Sequence, residues 1–141
     1  MALTSVLYIS RSTIPAAEAE RVVGRIVATA VACNPPVGLT GALLFTGTHF
    51  AQVLEGTADA IDDLLANIRK DPRHDQMLVV DRSALAERRF ADWSMAYFGP
   101  SQFVARHVTR LLNDPSPAEQ ARAADWLTDL MREFTDPSHV H

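Results

Sequence analysis

The stretch "HFAQVLEG", His49 to Gly56, constrains this chain most, because it has the length and apolar character of a buried strand with a glutamine at its centre. A primary amide among Phe50, Val53 and Leu54 must find hydrogen-bond partners or cost about 1–3 kcal/mol. The fold therefore has to bring a polar group to Gln52.

Upstream, "SVLYIS", Ser5 to Ser10, reads as the first strand, followed by the breaker cluster "RSTIP". A helix is expected to start near Pro15, capped by Ser12 or Thr13, with Ala19, Val22, Val23, Ile26, Val27 and Ala30 as its apolar stripe. "CNPPVG" ends it, since two prolines cannot continue a helix. Leu39 to Phe45 and Phe50 to Glu55 are then strands joined by the turn "TGTH". A second helix runs from about Ala58 to Lys70, with Ile61, Leu64, Leu65 and Ile68 on one face and Asp59 at its positive end. "MLVV" at 77–80 reads as a fourth strand and "DWSMAYF", Asp92 to Phe98, as a fifth.

The order β-α-β-β-α-β-β predicts an α+β, ferredoxin-like, mostly antiparallel sheet with both helices on one face. In that strand order the first and third strands are neighbours. Tyr8, on the face of Val6 and Ser10, then approaches Gln52, on the face of Phe50 and Leu54. Trp93 shares its face with Met95 and Tyr97. A buried tyrosine–glutamine pair has two readings at this point: core groups that satisfy each other, or a functional pair.

Gly99-Pro100 closes this unit, so residues 1–100 form one domain and 101–141 a helical extension. In the extension, Phe103, His107, Val108, Leu111 and Leu112 outline a short helix, and a longer one runs from about Ala118 to Phe134. Their apolar sides are expected to cover the free face of the sheet or to pack on another chain, and the tail "DPSHVH" to fray.

A net charge of −4 argues against a broad nucleic-acid surface, with Arg88-Arg89, otherwise a surface turn, as a local basic spot. One cysteine, Cys33, excludes an internal disulfide and a thiolate cluster, which suits the cytoplasm, and it is expected to be a small core residue. No signal peptide or membrane-spanning run is evident, so no membrane association is expected. The histidines at 49, 74, 107, 139 and 141 form no compact metal pattern. The acidic groups at 18–20 and 62–63 are solvated helix faces, and neither a phosphate-cradling glycine loop nor a nucleophile elbow occurs.

Taken together, "VLYIS", "NPPVGLTGALLF", "FAQVLEG", "DPRH" and "RRFADWSMAYF" resemble, in order and spacing from about Leu3 to Phe98, the BLUF family of flavin-binding blue-light sensors. The resemblance implies a flavin between the two helices: FAD, with FMN or riboflavin as alternatives. It implies that Gln52 contacts the ring, Tyr8 bonds to Gln52, and Asn34 binds the ring's polar edge. Ile26, Leu43 and Phe50 would form apolar walls. Arg73 and His74, on a loop, would meet the ribityl and phosphate side, and Met95 would lie near the ring. It further implies that light drives an electron and then a proton from Tyr8, with Gln52 as relay. A rearranged hydrogen-bond network and a small red shift would remain. Trp93 and Met95 would carry the signal through the C-terminal helices to a partner protein or a second copy, in a homo-oligomer. Cys33 and Ala30 depart from residues common in the family. Non-enzymatic sensing is thus expected, against two rivals: an acylphosphatase-like hydrolase, which needs an anion-cradling loop after the first strand, and an interaction module.

Overall fold

Alternation along β1 (Leu3–Ser12) sets the architecture: Val6 and Tyr8 face one way, Leu7 and Ile9 the other, and all four are buried. A strand that is apolar on both faces needs a layer on each side. The computed structural model, which describes residues 2–90, 96–98, 106, 110 and 116–135, supplies both. On one face α1 (Ala19–Cys33) and α2 (Ala58–Arg69) pack against Val6, Tyr8, Leu43, Phe45, Phe50 and Leu54. On the other, α3 (Pro117–Thr135) seats Ala124, Leu127 and Met131 on Leu7, Ile9, Ala42, Leu44, Ala51 and Val53. The C-terminal helix thus covers the free face of the sheet, and burying a side chain such as Leu127 there contributes about 1.5–3 kcal/mol.

The remaining strands are β2 (Thr40–Phe45), β3 (His49–Gly56), β4 (His74–Leu85) and β5 (Ala96–Phe98), in the order β4-β1-β3-β2-β5. This is the expected ferredoxin-like arrangement, antiparallel throughout except for β5, which runs parallel to β2. The β1–β3 register sets Tyr8 directly opposite Gln52, and the β2–β3 register sets Leu43 opposite it on the other side.

Several local expectations need correction. α1 begins only at Ala19, after a 3-10 turn at Ala16–Glu18, and neither Ser12 nor Thr13 caps it. Ser12 Oγ instead accepts from the Ile14 amide (3.1 Å), and the Thr13 hydroxyl donates to the Pro72 carbonyl (2.5 Å), tying the end of β1 to the turn after α2. α2 is capped by Thr57, whose Oγ1 accepts from the Ala60 amide at 3.3 Å. β4 is 12 residues long, far beyond "MLVV", because β1 offers pairing from Leu3, opposite Leu85, to Ser12, opposite His74. As an edge strand with exposed Arg82 and Ser83, it carries a weak hydrophobic signature.

The Arg88-Arg89 pair is a clamp, not a surface turn. Glu55 is fully buried and its carboxylate accepts from the backbone amides of Arg89 and Phe90, both at 2.9 Å, and from Arg89 Nε at 3.3 Å. Arg89 also donates to Ser5 Oγ, while Arg88 donates to the carbonyls of Gly38 and Glu55 and to Thr40 Oγ1. A buried carboxylate demands this saturation, since leaving one uncompensated costs several kcal/mol.

Of the expected fifth strand, Ala96–Phe98 is present, whereas 92–95, with Trp93 and Met95, lie outside the described residues. Arg106 and Arg110 are helical, and the rest of the short C-terminal helix and the tail 136–141 also lie outside.

Two glycines separate steric need from mere tolerance. A Cβ on Gly41 would lie 2.0 Å from the Val53 carbonyl oxygen, whereas one on Gly24, in α1, meets nothing within 4 Å. Urea denaturation should show Gly41→Ala destabilised by more than about 2 kcal/mol and Gly24→Ala stabilised by about 0.5–1 kcal/mol. Equal effects of the two substitutions would contradict the β2–β3 packing.

Candidate functional site

α1 carries a broad apolar stripe yet fully buries only Val23. The reason lies in its second half, where Thr29, Ala30 and Cys33 are too small to fill the space between α1, α2 and the sheet. A cavity of about 360 Å³ results, a volume typical of small-molecule sites, which run to roughly 300–1,000 Å³. The sheet supplies its floor through Tyr8, Leu43, Phe50 and Gln52; α1 supplies Ile26, Thr29, Ala30 and Cys33, with Asn34 just beyond its end. α2 adds Leu64, Asn67 and Ile68, and the turn into β4 adds Asp71, Arg73 and His74.

The sequence-derived candidates Tyr8, Ile26, Asn34, Leu43, Phe50, Gln52, Arg73 and His74 therefore meet on one wall-to-wall surface. Met95 and Trp93 lie outside the described residues. Thr29, Leu64, Asn67, Ile68 and Asp71 join them unforeseen as site residues. A signal existed for three of these, since Leu64, Asn67 and Ile68 recur at helical spacing on one side of α2. Two assignments change. Cys33 is exposed at the cavity rather than packed in the core, because the space it faces is not filled by protein side chains. His74 opens β4 rather than sitting on a loop.

At the floor, the Tyr8 hydroxyl donates to Gln52 Oε1 at 2.5 Å, with both residues buried. Burial, and secondarily the Asp71 carboxylate, push the phenol above its ordinary value near 10, so Tyr8 stays protonated and remains the donor. The amide thus shows its oxygen to the phenol and turns its N–H₂ end elsewhere. Beside the pair lie three rings: Phe45 and Phe50 are 4.9 Å apart, and His74 stands edge-on to Phe50 at 6.4 Å. At the mouth, Arg73 grips Asp71 through Nε (2.9 Å) and Nη2, which holds the Asp71 carboxyl below the usual carboxylate range. His74 Nε2 donates to the Ile68 carbonyl (2.6 Å) and Nδ1 meets Ser10 Oγ (2.8 Å).

An anion-cradling loop after β1 would need free amides, yet those of Ser12 and Thr13 donate to the Thr48 and Arg73 carbonyls, and that of Ile14 to Ser12 Oγ. The first three amides after the core of β1 are thus committed to the protein and are not offered to an anion.

A family model for sensors of blue-light using FAD, the BLUF family, matches residues 3–96. The chain belongs to the BLUF family. A subunit (beta) of a photoactivated adenylate cyclase from Euglena longa is 36% identical over 94 residues, covering 66% of this chain and 11% of that protein. The chain thus spans about a tenth of the length of such relatives. The dark-state structure of the BLUF protein BlrB superposes with a TM-score of 0.73 at 31% identity, covering 94% of this chain and 97% of that one. Klebsiella pneumoniae BlrP1, solved with FMN and cyclic diGMP, superposes at 0.62 and 32% identity, over 77% of this chain and 30% of its own. This BLUF chain is accordingly a flavin-based photoreceptor for blue light. Its cavity fits the cofactor class: apolar side chains from both helices and the sheet suit the faces of a flat heterocycle, while the Asn34 and Gln52 amides suit a polar edge.

Because folded Tyr8 keeps its proton where an unfolded tyrosine releases it, its contribution to stability is complete below about pH 10 and is lost as pH rises further. In an alkaline titration, tyrosinate absorbance of the wild type and of Tyr8→Phe should coincide until unfolding begins. An extra ionisation in the folded wild type alone would contradict the buried, protonated phenol.

Proposed function

We propose that the chain holds FAD in the cavity between α1 and α2, that Tyr8 is the electron donor and Gln52 the switching amide, and that the chain performs no turnover chemistry. The hydrogen bond from Tyr8 to Gln52 Oε1 on the cavity floor carries this reading. Asn34 would hold the polar edge of the ring, with Ile26, Leu43 and Phe50 as apolar walls and Met95 beside it. Arg73 and His74 would flank the ribityl and phosphate side. The family description favours FAD, with FMN and riboflavin as the alternatives.

When bound, the flavin supplies absorption of blue light and an excited state able to accept an electron. The protein supplies the rest. A phenol that has lost an electron is a far stronger acid, so its proton passes along the existing bond to Gln52 Oε1. Exposure of only 5% for Tyr8 and 6% for Gln52 keeps bulk water from competing for that proton. If the Gln52 nitrogen gives up one of its hydrogens toward the electron acceptor as its oxygen takes up the tyrosine proton, the side chain becomes the imidic tautomer with donor and acceptor ends exchanged, and return of both protons can leave the amide turned over. One buried hydrogen bond is worth about 0.5–1.5 kcal/mol net, enough to tilt a balanced equilibrium roughly two- to tenfold.

The signal would leave through the last strand, with Trp93 and Met95, and the C-terminal helices toward a partner protein or a second copy. Support comes from the sheet itself: β1 and β3 carry Tyr8 and Gln52 on one face, and on the other Leu7, Ile9 and Val53, which pack with α3. A backbone shift in either strand therefore reaches both layers. On this reading residues 1–100 sense, and residues 101–141 are the output element of a cytoplasmic protein.

Purified protein should be yellow, shift its absorption to the red under blue light and recover in darkness. Tyr8→Phe should retain flavin and lose the shift, and chromatography of the released cofactor should yield FAD. A Tyr8→Phe protein with an undiminished shift would dispose of the donor assignment.

A further inference from the structure

We infer that Arg88 is a positioning residue for the cofactor site: it holds the turn after α1 on the end of β3 and thereby fixes where Asn34 meets the flavin. This rests on the reading of Asn34 as the amide that holds the polar edge of the ring. Asn34 is buried directly beyond α1, with its backbone amide donating to the Ala30 carbonyl at 2.8 Å. Its own carbonyl accepts from the Val37 amide (3.2 Å) and the Leu39 amide (3.0 Å), and the Gly38 amide donates to the Pro35 carbonyl at 3.0 Å. Pro35 and Pro36 between them have no N–H and a fixed φ. The turn from Asn34 to Leu39 is therefore one stiff loop closed on itself, and a displacement at its far end is carried back to Asn34.

At that far end a single side chain gathers three oxygens. Arg88 Nη2 donates to the Gly38 carbonyl at 2.6 Å, and Nη1 donates to Thr40 Oγ1 at 2.8 Å and to the Glu55 backbone carbonyl at 3.0 Å. A planar guanidinium joins these three groups in one geometry, which a lysine ammonium on a flexible stem does not reproduce. Close packing marks the same contact: a Cβ on Gly56, the last residue of β3, would lie 3.2 Å from the Gly38 carbonyl oxygen and 2.6 Å from Leu39 Cδ2. Arg88 itself has a fixed origin, because the amides of Arg89 and Phe90 are held by the buried Glu55 carboxylate. Arg88 is not part of the cavity lining, whereas Asn34 is, so Arg88 reaches the cofactor only through the backbone it holds.

The test titrates FAD into the flavin-free full chain and reads the dissociation constant from flavin fluorescence, in a cycle of Arg88→Gln, Asn34→Ala and the double variant. Arg88→Gln should weaken FAD binding several-fold in the wild-type background and have no further effect in Asn34→Ala, where the amide it positions is gone. Equal weakening in both backgrounds would make Arg88 a general support of the fold and overturn the proposal. Arg88→Lys, which keeps the charge and loses the three-way geometry, should also weaken FAD binding, and it runs the same cycle with the same criteria if Arg88→Gln does not fold. Undiminished affinity in either variant overturns the proposal. As a readout independent of affinity, the carbonyl stretching bands of bound FAD in the dark should shift in Arg88→Gln in the direction they shift in Asn34→Ala; bands that stay at their wild-type positions overturn the proposal. An Asn34→Ala chain that binds FAD as tightly as the wild type would instead mark failure of the underlying reading of Asn34.

Discussion

The antiparallel register of β1 on β3 is the constraint from which the rest follows. It sets a phenol opposite an amide in the middle of a sheet, where neither can reach bulk water and each must satisfy the other. A slip of one residue would turn every side chain of β1 to the opposite face and send Tyr8 toward α3. The apolar alternation on both faces prevents that slip. The hydrophobic pattern of β1 thereby protects the polar pair, and the pair defines the floor of the cavity.

Around that pair the protein withholds side chains rather than adding them. Small residues in the second half of α1 leave a volume that a tightly packed core would close, a state that ordinarily costs stability in proportion to the missing contacts. A flavin seated there, as proposed, would supply those contacts, and burial against them would contribute to its affinity. The helix ends nearest the cavity are held from the sheet side, α2 through His74 and the turn after it through Thr13.

At the far end of β3, Glu55 plays the opposite part. Three residues from Gln52, it is saturated by Arg89 and by the amides that lead out of the sheet toward β5. One strand thus holds an amide able to exchange its donor and acceptor ends and a carboxylate locked by several donors. The locked end gives the chain leaving residue 90 a fixed origin, against which any displacement near Gln52 is measured.

Much of this was legible in the order of residues, because strand and helix periods are local properties. The α+β order, the apolar stripes, the pairing of Tyr8 with Gln52 and the placement of Asn34 after α1 all follow from spacing and from the ferredoxin-like strand order. The full length of β4 was not legible, since its polar outer residues are strand only because β1 lies beside them. Arg88-Arg89 looked like a turn because nothing local announces a buried carboxylate 34 positions away. Cys33 looked like core because composition cannot show that the space it faces is not filled by protein side chains. Sequence alone determined that the Gln52 amide would have to be paired; tertiary structure decided which atom meets which and that Glu55 is buried, because hydrogen bonds and cavities depend on distances between segments remote along the chain.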